Sequence, residues 1–219
     1  PSYDPEYVKN LEIGMKSSWL EGRMIFNASA FIAKYEDKQE SILVPVDLSN
    51  VATVVRNAAS LDMNGLELEL MYQITDAWDV MTNYGYMRSE FDEYLADLNG
   101  DNVITDNSGL TPRNTPENTF GLTTSYTVPL GNGDLKTRLS YRFRDKMEAN
   151  ASNFAQGSLD SIDNLNATVT YSFDNYSISV FGQNITDERE QRWSTIGGLT
   201  SRGWWNEGAR YGVEFTAEF

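Results

Sequence analysis

A strict alternation of apolar and polar residues recurs along almost the whole chain. It is clearest near the carboxyl terminus, where the odd positions are Tyr211, Val213, Phe215, Ala217 and Phe219 and the even positions are Arg210, Gly212, Glu214, Thr216 and Glu218. Successive side chains of a strand point to opposite faces, so this pattern predicts a strand with one apolar and one polar face. About nine such stretches follow one another, each of roughly ten residues, the length that a tilted strand needs to cross a bilayer.

The composition excludes several classes of function. The 219 residues include no cysteine and no histidine, which excludes disulfides, thiolate metal sites and imidazole-based catalysis. A formal net charge of −15 disfavours nucleic-acid binding through phosphate neutralisation. No apolar run reaches the roughly 18 residues of a transmembrane helix. No nucleophile–base pair stands out in the sequence, so we do not expect an enzyme.

The connections between the predicted strands alternate between short and long. We predict short turns at residues 20–22, 75–77, 129–134 and 174–175, and long loops rich in Asn, Asp, Gly and Ser at residues 35–60, 88–116, 145–160 and 185–208. Short turns at one end and long loops at the other are typical of an outer-membrane β-barrel. A soluble β-protein, for example one that binds carbohydrate, also has alternating strands and is the alternative interpretation.

Aromatic residues gather beside the short turns, where the rings of a membrane barrel sit at headgroup depth. They are Trp19, Tyr72, Trp78, Tyr126, Phe173, Tyr176 and Phe219. The closing stretch also resembles the signal that the bacterial barrel-assembly machinery reads, carried here by Tyr211, Val213, Phe215 and Phe219. These features predict an all-β fold, the antiparallel wall of a transmembrane β-barrel whose apolar face contacts outer-membrane lipid.

Five segments resemble TonB-dependent outer-membrane receptors, and they occur in the order of that family over essentially the whole chain. They are PEYVKNLEIGMKSSWLEGRMIFNASAFIAKYED, RNAASLDMNGLELEL, TPRNTPENTFGLTTSY, FGQNITDERE and GARYGVEFTAEF. The resemblance implies that residues 1–219 are the C-terminal portion of a barrel of about 22 strands with a plugged lumen. The plug domain and the earlier strands are then expected outside this sequence, whose start, without Met or a basic leader, looks internal.

The resemblance also implies a function. It predicts energy-coupled import of a scarce, bulky solute across the outer membrane of a Gram-negative bacterium, with an inner-membrane TonB-type coupler acting through the plug. Iron chelates, cobalamin and oligosaccharides are all open as solutes. A passive porin or an adhesin-type barrel without a plug is the alternative within the barrel class.

Loop 92–116 has the oxygen-rich spacing of a calcium loop. Asp97, Asn99 and Asp101 occupy the first, third and fifth positions, Val103 can offer its main-chain carbonyl at the seventh, and Asp106 lies near the end. The twelfth position is Ser108 instead of the usual bidentate Glu. Calcium would therefore act as a loop staple, and a solvated acidic turn is the alternative.

Two further groups of residues are candidates for contact with a solute. Loop 185–208 contains Trp193, Arg202, Trp204 and Trp205, whose rings and guanidinium suit sugar stacking or an iron-chelate ligand, with a role in the aromatic girdle or in loop packing as the alternative. Arg138, Arg142 and Arg144 share the polar face of one predicted strand. They could guide an anionic substrate, although we expect pairing across the lumen with Glu67, Glu69 and Glu214.

Overall fold

The structure is a computed structural model that describes residues 3–45, 51–99, 101, 103–154, 157–189, 191–197 and 200–219. The side chains of a few strand residues next to the gaps, among them Trp193 and Arg202, lie outside this description. The described residues contain no helix that is both long and apolar enough to cross a membrane.

One antiparallel sheet forms the body of the molecule. Nine long strands lie side by side in this sheet in the same order as along the chain. They are β1 (Tyr7–Trp19), β2 (Met24–Pro45), β3 (Val51–Thr75), β4 (Trp78–Ala96), β6 (Asn118–Leu130), β7 (Gly133–Arg144), β10 (Ile162–Phe173), β11 (Tyr176–Gln183) and β14 (Arg210–Ala217). The short strand β5 (Thr105–Asp106) pairs with the end of β4. Two small hairpins stand apart from it, β8 (Met147–Glu148) with β9 (Ser158–Leu159) and β12 (Gln191–Gly197) with β13 (Thr200–Trp205). The predicted set of about nine wall strands is confirmed.

The register brings the apolar positions of neighbouring strands together on one face. One row across the sheet joins Met15, Ala28, Leu68, Tyr84, Phe120 and Phe143. Nothing in the described chain covers this apolar face, since Ile13 is 77% and Val213 is 72% exposed. The apolar rows therefore do not pack against one another in a dry centre, as they would in a soluble sandwich.

The opposite face, which we call the polar face, carries small and hydrophilic side chains. Its rows join residues such as Ser29 with Glu67 and Ser179 with Glu214. Two aromatic rings on this face lie over glycines of the neighbouring strand, Phe31 over Gly65 and Phe181 over Gly212. A Cβ added at Gly65 would lie 2.6 Å from the Phe31 ring, and a Cβ added at Gly212 would lie 2.4 Å from the Phe181 ring.

The prediction of irregular loops at residues 35–60 and 88–116 is wrong for much of their length. β2 continues to Pro45, β3 begins at Val51 and β4 continues to Ala96. The β-branched residues of SILV (41–44) and VATVV (51–55) favour a strand, which explains why β2 and β3 continue through them. Residues 46–50 between them lie outside the described residues. The predicted loop 185–208 likewise contains the β12–β13 hairpin.

The prolonged parts of β2, β3 and β4, beyond Tyr35, Leu61 and Glu90, form what we call the extension, and the extension has a hydrophobic core. The buried residues of that core are Ile42, Ala59, Leu61, Phe91, Tyr94, Ala96 and Ala151. Phe91 and Tyr94 stack with their ring centroids 4.7 Å apart. Ala151 comes from the connection between β7 and β10, so the core joins neighbouring loops into one unit.

A charged cluster is buried beside this core. Glu40 is fully buried and contacts the ammonium group of Lys38 on the same strand. Arg113 Nε lies 3.1 Å from Glu40 Oε2, as an ion pair without an aligned hydrogen bond. The Tyr94 hydroxyl is buried without a partner among the described residues, and burial, with the Glu40 carboxylate close by, raises its pKa. This tyrosine therefore stays protonated at neutral pH.

Candidate functional site

A concave pocket lies on the polar face where β10, β11 and β14 reach their long-loop ends. It encloses about 930 Å³, and its lining includes the amide side chains of Asn164, Asn166 and Gln183, the rings of Phe181 and Trp205, and the guanidinium of Arg210. The period-two pattern places the β10 and β11 members on the polar face, but their sequence positions did not mark them as a site. They come together because the register sets Ala167 opposite Gly182, which brings the two strand ends side by side.

One asparagine fixes the segments above this pocket. Asn184 is only 6% exposed, and its side-chain amide donates to the carbonyls of Glu188 at 3.0 Å and of Glu207 at 3.1 Å. Its carbonyl oxygen accepts from the Glu188 N–H at 3.0 Å, and its own N–H donates to Asn166 Oδ1 at 2.8 Å. Asn184 therefore ties both ends of the β12–β13 segment to the wall.

The backbone at this position suits asparagine. Asn184 has a φ of 51°, in the left-handed region that asparagine adopts more readily than most residues. Asp187, with a φ of 52°, accepts a hydrogen bond from the Ala209 N–H at 2.8 Å. The sequence NITD was recognised only as a family-like motif, and its role as a clamp could not be inferred before the chain returned to Glu207 and Ala209.

The pocket contains one cation among its described lining residues, and that cation is engaged. Arg210 Nη1 lies 2.6 Å from Glu207 Oε2, and Arg210 Nη2 donates to Gln183 Oε1 at 2.5 Å. Two carboxylates, Glu207 and Glu214, also line the pocket, and amide side chains and two aromatic rings form about half of its lining. Such groups bind by hydrogen bonding and stacking, with a few polar contacts fixing the orientation of a ligand.

The predicted solute-contacting residues fall on the β12–β13 hairpin beside the pocket. Trp193 pairs with Trp204 in the register, and Arg202 pairs with Thr195. Trp204 is 74% and Trp205 is 61% exposed, and Trp205 also lines the pocket. The side chains of Trp193 and Arg202 lie outside the described part of the structure. The ligand-binding role of all four residues stays a prediction.

The candidate calcium loop is held by its own main-chain contacts. Asp101 Oδ1 accepts from the Val103 N–H at 2.8 Å, and Asn99 Oδ1 accepts from the Asp101 N–H at 3.1 Å. Hydrogen bonding from Ser108 lowers the pKa of the Asp106 carboxyl. Within the described residues no group of three or more acidic side chains is placed to hold a metal ion, and Asp97 has contacts of its own. Calcium binding by Asp97, Asn99, Asp101, Val103 and Asp106 stays a prediction.

Comparison with known families identifies this two-faced sheet. A sequence profile described as "TonB dependent receptor-like, beta-barrel" matches residues 1–185. The chain belongs to the TonB-dependent receptor β-barrel family. Proteins of this family are β-barrels of the outer membrane, which places the apolar face of the sheet against lipid and the polar face toward the lumen. The alternative of a soluble carbohydrate-binding protein is therefore wrong.

Individual relatives are receptors for iron chelates by name. The chain is 29% identical over 126 residues to the ferric-pyoverdine 358 receptor of Pseudomonas putida. This match covers 58% of this chain and 14% of the relative. It is 30% identical over 87 residues to a probable TonB-dependent siderophore receptor of Acinetobacter baumannii, covering 40% and 11% of the two chains. The chain thus spans a small part of the curated relatives that it matches.

The solved structures share the fold. The ferric yersiniabactin uptake receptor of Yersinia pestis superposes with a TM-score of 0.78 at 20% identity, over 98% of this chain and 30% of that receptor. The siderophore receptor of Acinetobacter baumannii superposes with a TM-score of 0.70 at 22% identity, over 95% and 28%. Both comparisons support the prediction that the sheet is one part of a TonB-dependent receptor barrel wall.

The predicted aromatic girdle of this receptor wall is partly assembled at the short-turn end. Trp78 meets Tyr126 edge to face at 6.4 Å, and the Trp78 indole N–H donates to Thr124 Oγ1 at 2.8 Å. A second row of rings connects Tyr171, Phe173, Tyr176 and Phe215 with centroid distances of 5.5 Å, 5.6 Å and 6.0 Å. Aromatic rows beside the turns are expected where a membrane barrel meets the headgroups, and the girdle role of these rings stays a prediction.

Three residues of the predicted assembly signal share one face of β14, and Phe219 follows the end of that strand. In β14, Tyr211 pairs with Gly182, Val213 with Val180 and Phe215 with Ile178. Tyr211, Val213, Phe215 and Phe219 are all exposed. Their recognition by the barrel-assembly machinery stays a prediction.

Proposed function

We propose that this chain forms part of the barrel of an energy-coupled outer-membrane receptor that imports a ferric siderophore. The observation that carries the proposal is the similarity to two curated relatives whose names specify ferric pyoverdine and a siderophore. Iron chelates are thereby favoured over cobalamin and oligosaccharides, which the sequence left open. A plug domain in the lumen and an inner-membrane energy coupler are part of the proposal.

The open edges of the sheet support the proposal of a larger barrel. In the described sheet β1 pairs only with β2, and β14 only with β11. Unpaired backbone groups at the edge of a membrane sheet are costly because lipid offers no hydrogen bonds. We therefore infer that further strands close the wall, in a barrel of about 22 strands with a plugged lumen.

The β12–β13 hairpin and the amide-rich pocket are the proposed place of first contact with the siderophore. Trp204 and Trp205 are largely exposed, and exposed tryptophans commonly become the main contacts of a binding surface once a ligand covers them. Trp193 and Arg202 complete the proposed contact set on the same hairpin. The Asn184 clamp holds the hairpin over the pocket. A hairpin that is already held in place loses less conformational entropy when a ligand binds.

The test uses the full-length receptor in a Gram-negative host that lacks its own siderophore receptors. Cells are supplied with radiolabelled ferric pyoverdine, and accumulation is compared with and without the inner-membrane coupler. We expect accumulation that requires the coupler. Equal accumulation without the coupler would identify a passive pore, and uptake of cobalamin or an oligosaccharide alone would keep the receptor but refute the solute class.

A variant pair tests the proposed contact residues. Replacing both Trp204 and Trp205 by Ala should weaken surface binding of the ferric siderophore about tenfold or more, the usual effect of removing central aromatic contacts. Trp19→Ala is the matched control, because Trp19 is also exposed but lies at the short-turn end. Equal binding by all three proteins would remove the hairpin from the binding site.

A further inference from the structure

Strand β7 carries a row of cations on the lumen face. Lys136, Arg138 and Arg142 occupy alternate positions of the strand together with Ser140, and all three cations are exposed. Arg144 follows at the long-loop end, where it donates to the carbonyls of Asp145 at 2.8 Å and Asp160 at 3.0 Å. We call Lys136, Arg138 and Arg142 the basic row, in which Arg142 also has contacts of its own.

The strands on both sides of the basic row are uncharged on this face. The lumen-facing partners of the row in β6 and β10 are Gly121, Ser125, Thr127, Asn164, Thr168 and Thr170. In the part of the chain that the structure describes, neither Lys136 nor Arg138 has an ion pair or a side-chain hydrogen bond. Two cations next to the extension differ, since Lys34 lies 3.3 Å from Asp92 and Arg88 lies 2.5 Å from Glu90.

Acidic residues of the lumen face lie at a distance from the row. Glu67 on β3 and Glu214 on β14 are each three strands from β7, or about 14 Å at the usual strand spacing. That separation exceeds the Debye length of about 8 Å at physiological ionic strength. The carboxylates of Glu67 and Glu69 instead accept from Ser29 at 3.5 Å and from Asn27 at 3.2 Å.

Two acidic residues are nearer to the basic row, and they reduce its positive potential at the short-turn end of β7. Asp79 is two strands away, beyond Ser125, at about 10 Å from the backbone of Arg138. Asp134 is on β7 itself, beside the short turn. The positive region of the wall therefore begins a few residues after the short turn between β6 and β7, and it continues along β7 toward the long-loop end.

The length of the row points to a mobile solute. From Lys136 to Arg142 the row covers six residues, about 20 Å of strand. At the usual strand tilt of about 40° this corresponds to about 15 Å, or half of the roughly 30 Å hydrocarbon depth. A fixed acidic side chain of a plug domain would need a cation at one level only. A solute that crosses the lumen meets each level in turn.

We propose that the basic row is an electrostatic track along which this receptor moves an anionic ferric chelate. This inference rests on the proposed import function and names the charge class of its substrate. Cations at successive levels of a low-dielectric wall raise the local concentration of an anion and its rate of passage. A neutral chelate gains nothing from the row.

The experiment compares two iron complexes in energised cells that carry the full-length receptor. One is a trianionic ferric tris-catecholate and the other a neutral ferric tris-hydroxamate. For the variant with both Lys136→Gln and Arg138→Gln, we expect the maximal uptake rate of the trianionic complex to fall roughly tenfold. Uptake of the neutral complex should change less than about twofold, and energy-independent surface binding of either complex should stay unchanged, because the row lies below the proposed binding hairpin.

Lys16→Gln is the matched control. Lys16 is an exposed cation on the same face, opposite Asn27 and five strands from β7, so its removal should leave both uptake rates unchanged. An equal loss for both complexes in the double variant would show that the row supports the wall or contacts the plug, and would overturn the track. Preferential uptake of the neutral complex by the unaltered receptor would also overturn it. Failure of the unaltered receptor to import any ferric chelate would instead refute the proposed function itself, and the track with it.

Discussion

The membrane wall and the extension are built from the same strands, yet within the described residues the hydrophobic core lies in the extension and not in the wall. On the wall, Ile13, Val180 and Val213 are exposed on the apolar face. In the extension, Leu61 and Phe91 are buried against the loop that follows β4 and against Ala151. The change occurs within continuous strands, since β3 passes from Leu61 in the core to Leu68 on the lipid face.

The surrounding solvent explains the difference. Lipid covers the apolar face of the wall, so this part needs only a complete hydrogen-bond ladder and an apolar surface. Water surrounds the extension, so its strands must bury apolar side chains against other parts of the protein. A receptor of this kind thus changes its mode of stabilisation where its strands leave the bilayer.

The buried charges follow the same division. Glu40 is fully buried in the extension with Lys38 and Arg113, whereas the Lys9–Glu36 pair near the start of the extension is exposed and separated by 2.9 Å. Exposed pairs contribute little to stability, while a buried carboxylate depends on its cations. The Glu40 cluster therefore ties the loop that carries Arg113 to the extension.

The largest expected effect comes from emptying the core of the extension. Phe91→Ala should destabilise the extension by about 3–5 kcal/mol, because it removes a buried ring and its stacking with Tyr94. Hydrogen exchange of the β2–β4 amides in the full-length receptor measures this loss. Phe120→Ala on the lipid face is the control, where lipid can occupy the space, and similar losses at both positions would contradict the division between wall and extension.

The next effect tests the wall. Leu68→Arg places a charge on the lipid face beside Ala28 and Tyr84 and should cost about 2–4 kcal/mol if it lies near the bilayer midplane. Glu67→Gln on the neighbouring lumen-facing position should be nearly silent. Unfolding of the receptor in lipid vesicles by denaturant compares the two variants. Equal tolerance would mean that the faces are assigned incorrectly.

A smaller effect is expected where polar contacts, instead of a core, hold a loop. Asn184→Asp retains a residue suited to positive φ but loses the bonds donated to Glu188 and Glu207, which should cost about 1–3 kcal/mol locally. Limited proteolysis within β12–β13 reports this loosening. Asn114→Gly is the control, because Asn114 also has a positive φ but its described hydrogen bond is made by the backbone. Unchanged protease resistance of the hairpin in the Asn184→Asp variant would rule out the clamp.

The smallest effect concerns calcium in loop 92–116. If Asp97, Asn99 and Asp101 bind calcium, the affinity should be in the range of extracellular modules, with a dissociation constant of about 0.1–1 mM. Calcium should then slow proteolysis of the loop, and Asp101→Ala should abolish this protection while Asp160→Ala should not. Absence of any calcium effect on the unaltered receptor would leave the loop as a solvated acidic turn.

The sequence predicted the wall well because a membrane strand is a local structure. Period-two alternation requires only that neighbouring side chains face different solvents, so Leu66, Leu68 and Leu70 mark the lipid face without knowledge of any partner strand. The short turns were also recognisable, and Gly22 and Gly131 adopt the positive φ values of 88° and 63° that tight turns require. The order and number of wall strands followed from these local signals.

The extension and the clamp could not be predicted in the same way. Glu40 reads as one more acidic loop residue until the chain returns Arg113 to it, and Asn184 reads as a turn residue until Glu207 arrives beside it. Such contacts join residues that are far apart in sequence, and their geometry depends on the register of several strands together.

The sequence by itself determined that this chain is a two-faced wall of about nine strands, because alternation is fixed residue by residue against the surrounding solvent. Only the tertiary structure decided which strands continue beyond the bilayer, where a water-exposed core forms, and which acidic residues lie near the cations of the lumen face. The physical reason is that burial and electrostatic fields are properties of residues brought together in space, and neighbouring strands supply those residues from distant parts of the chain.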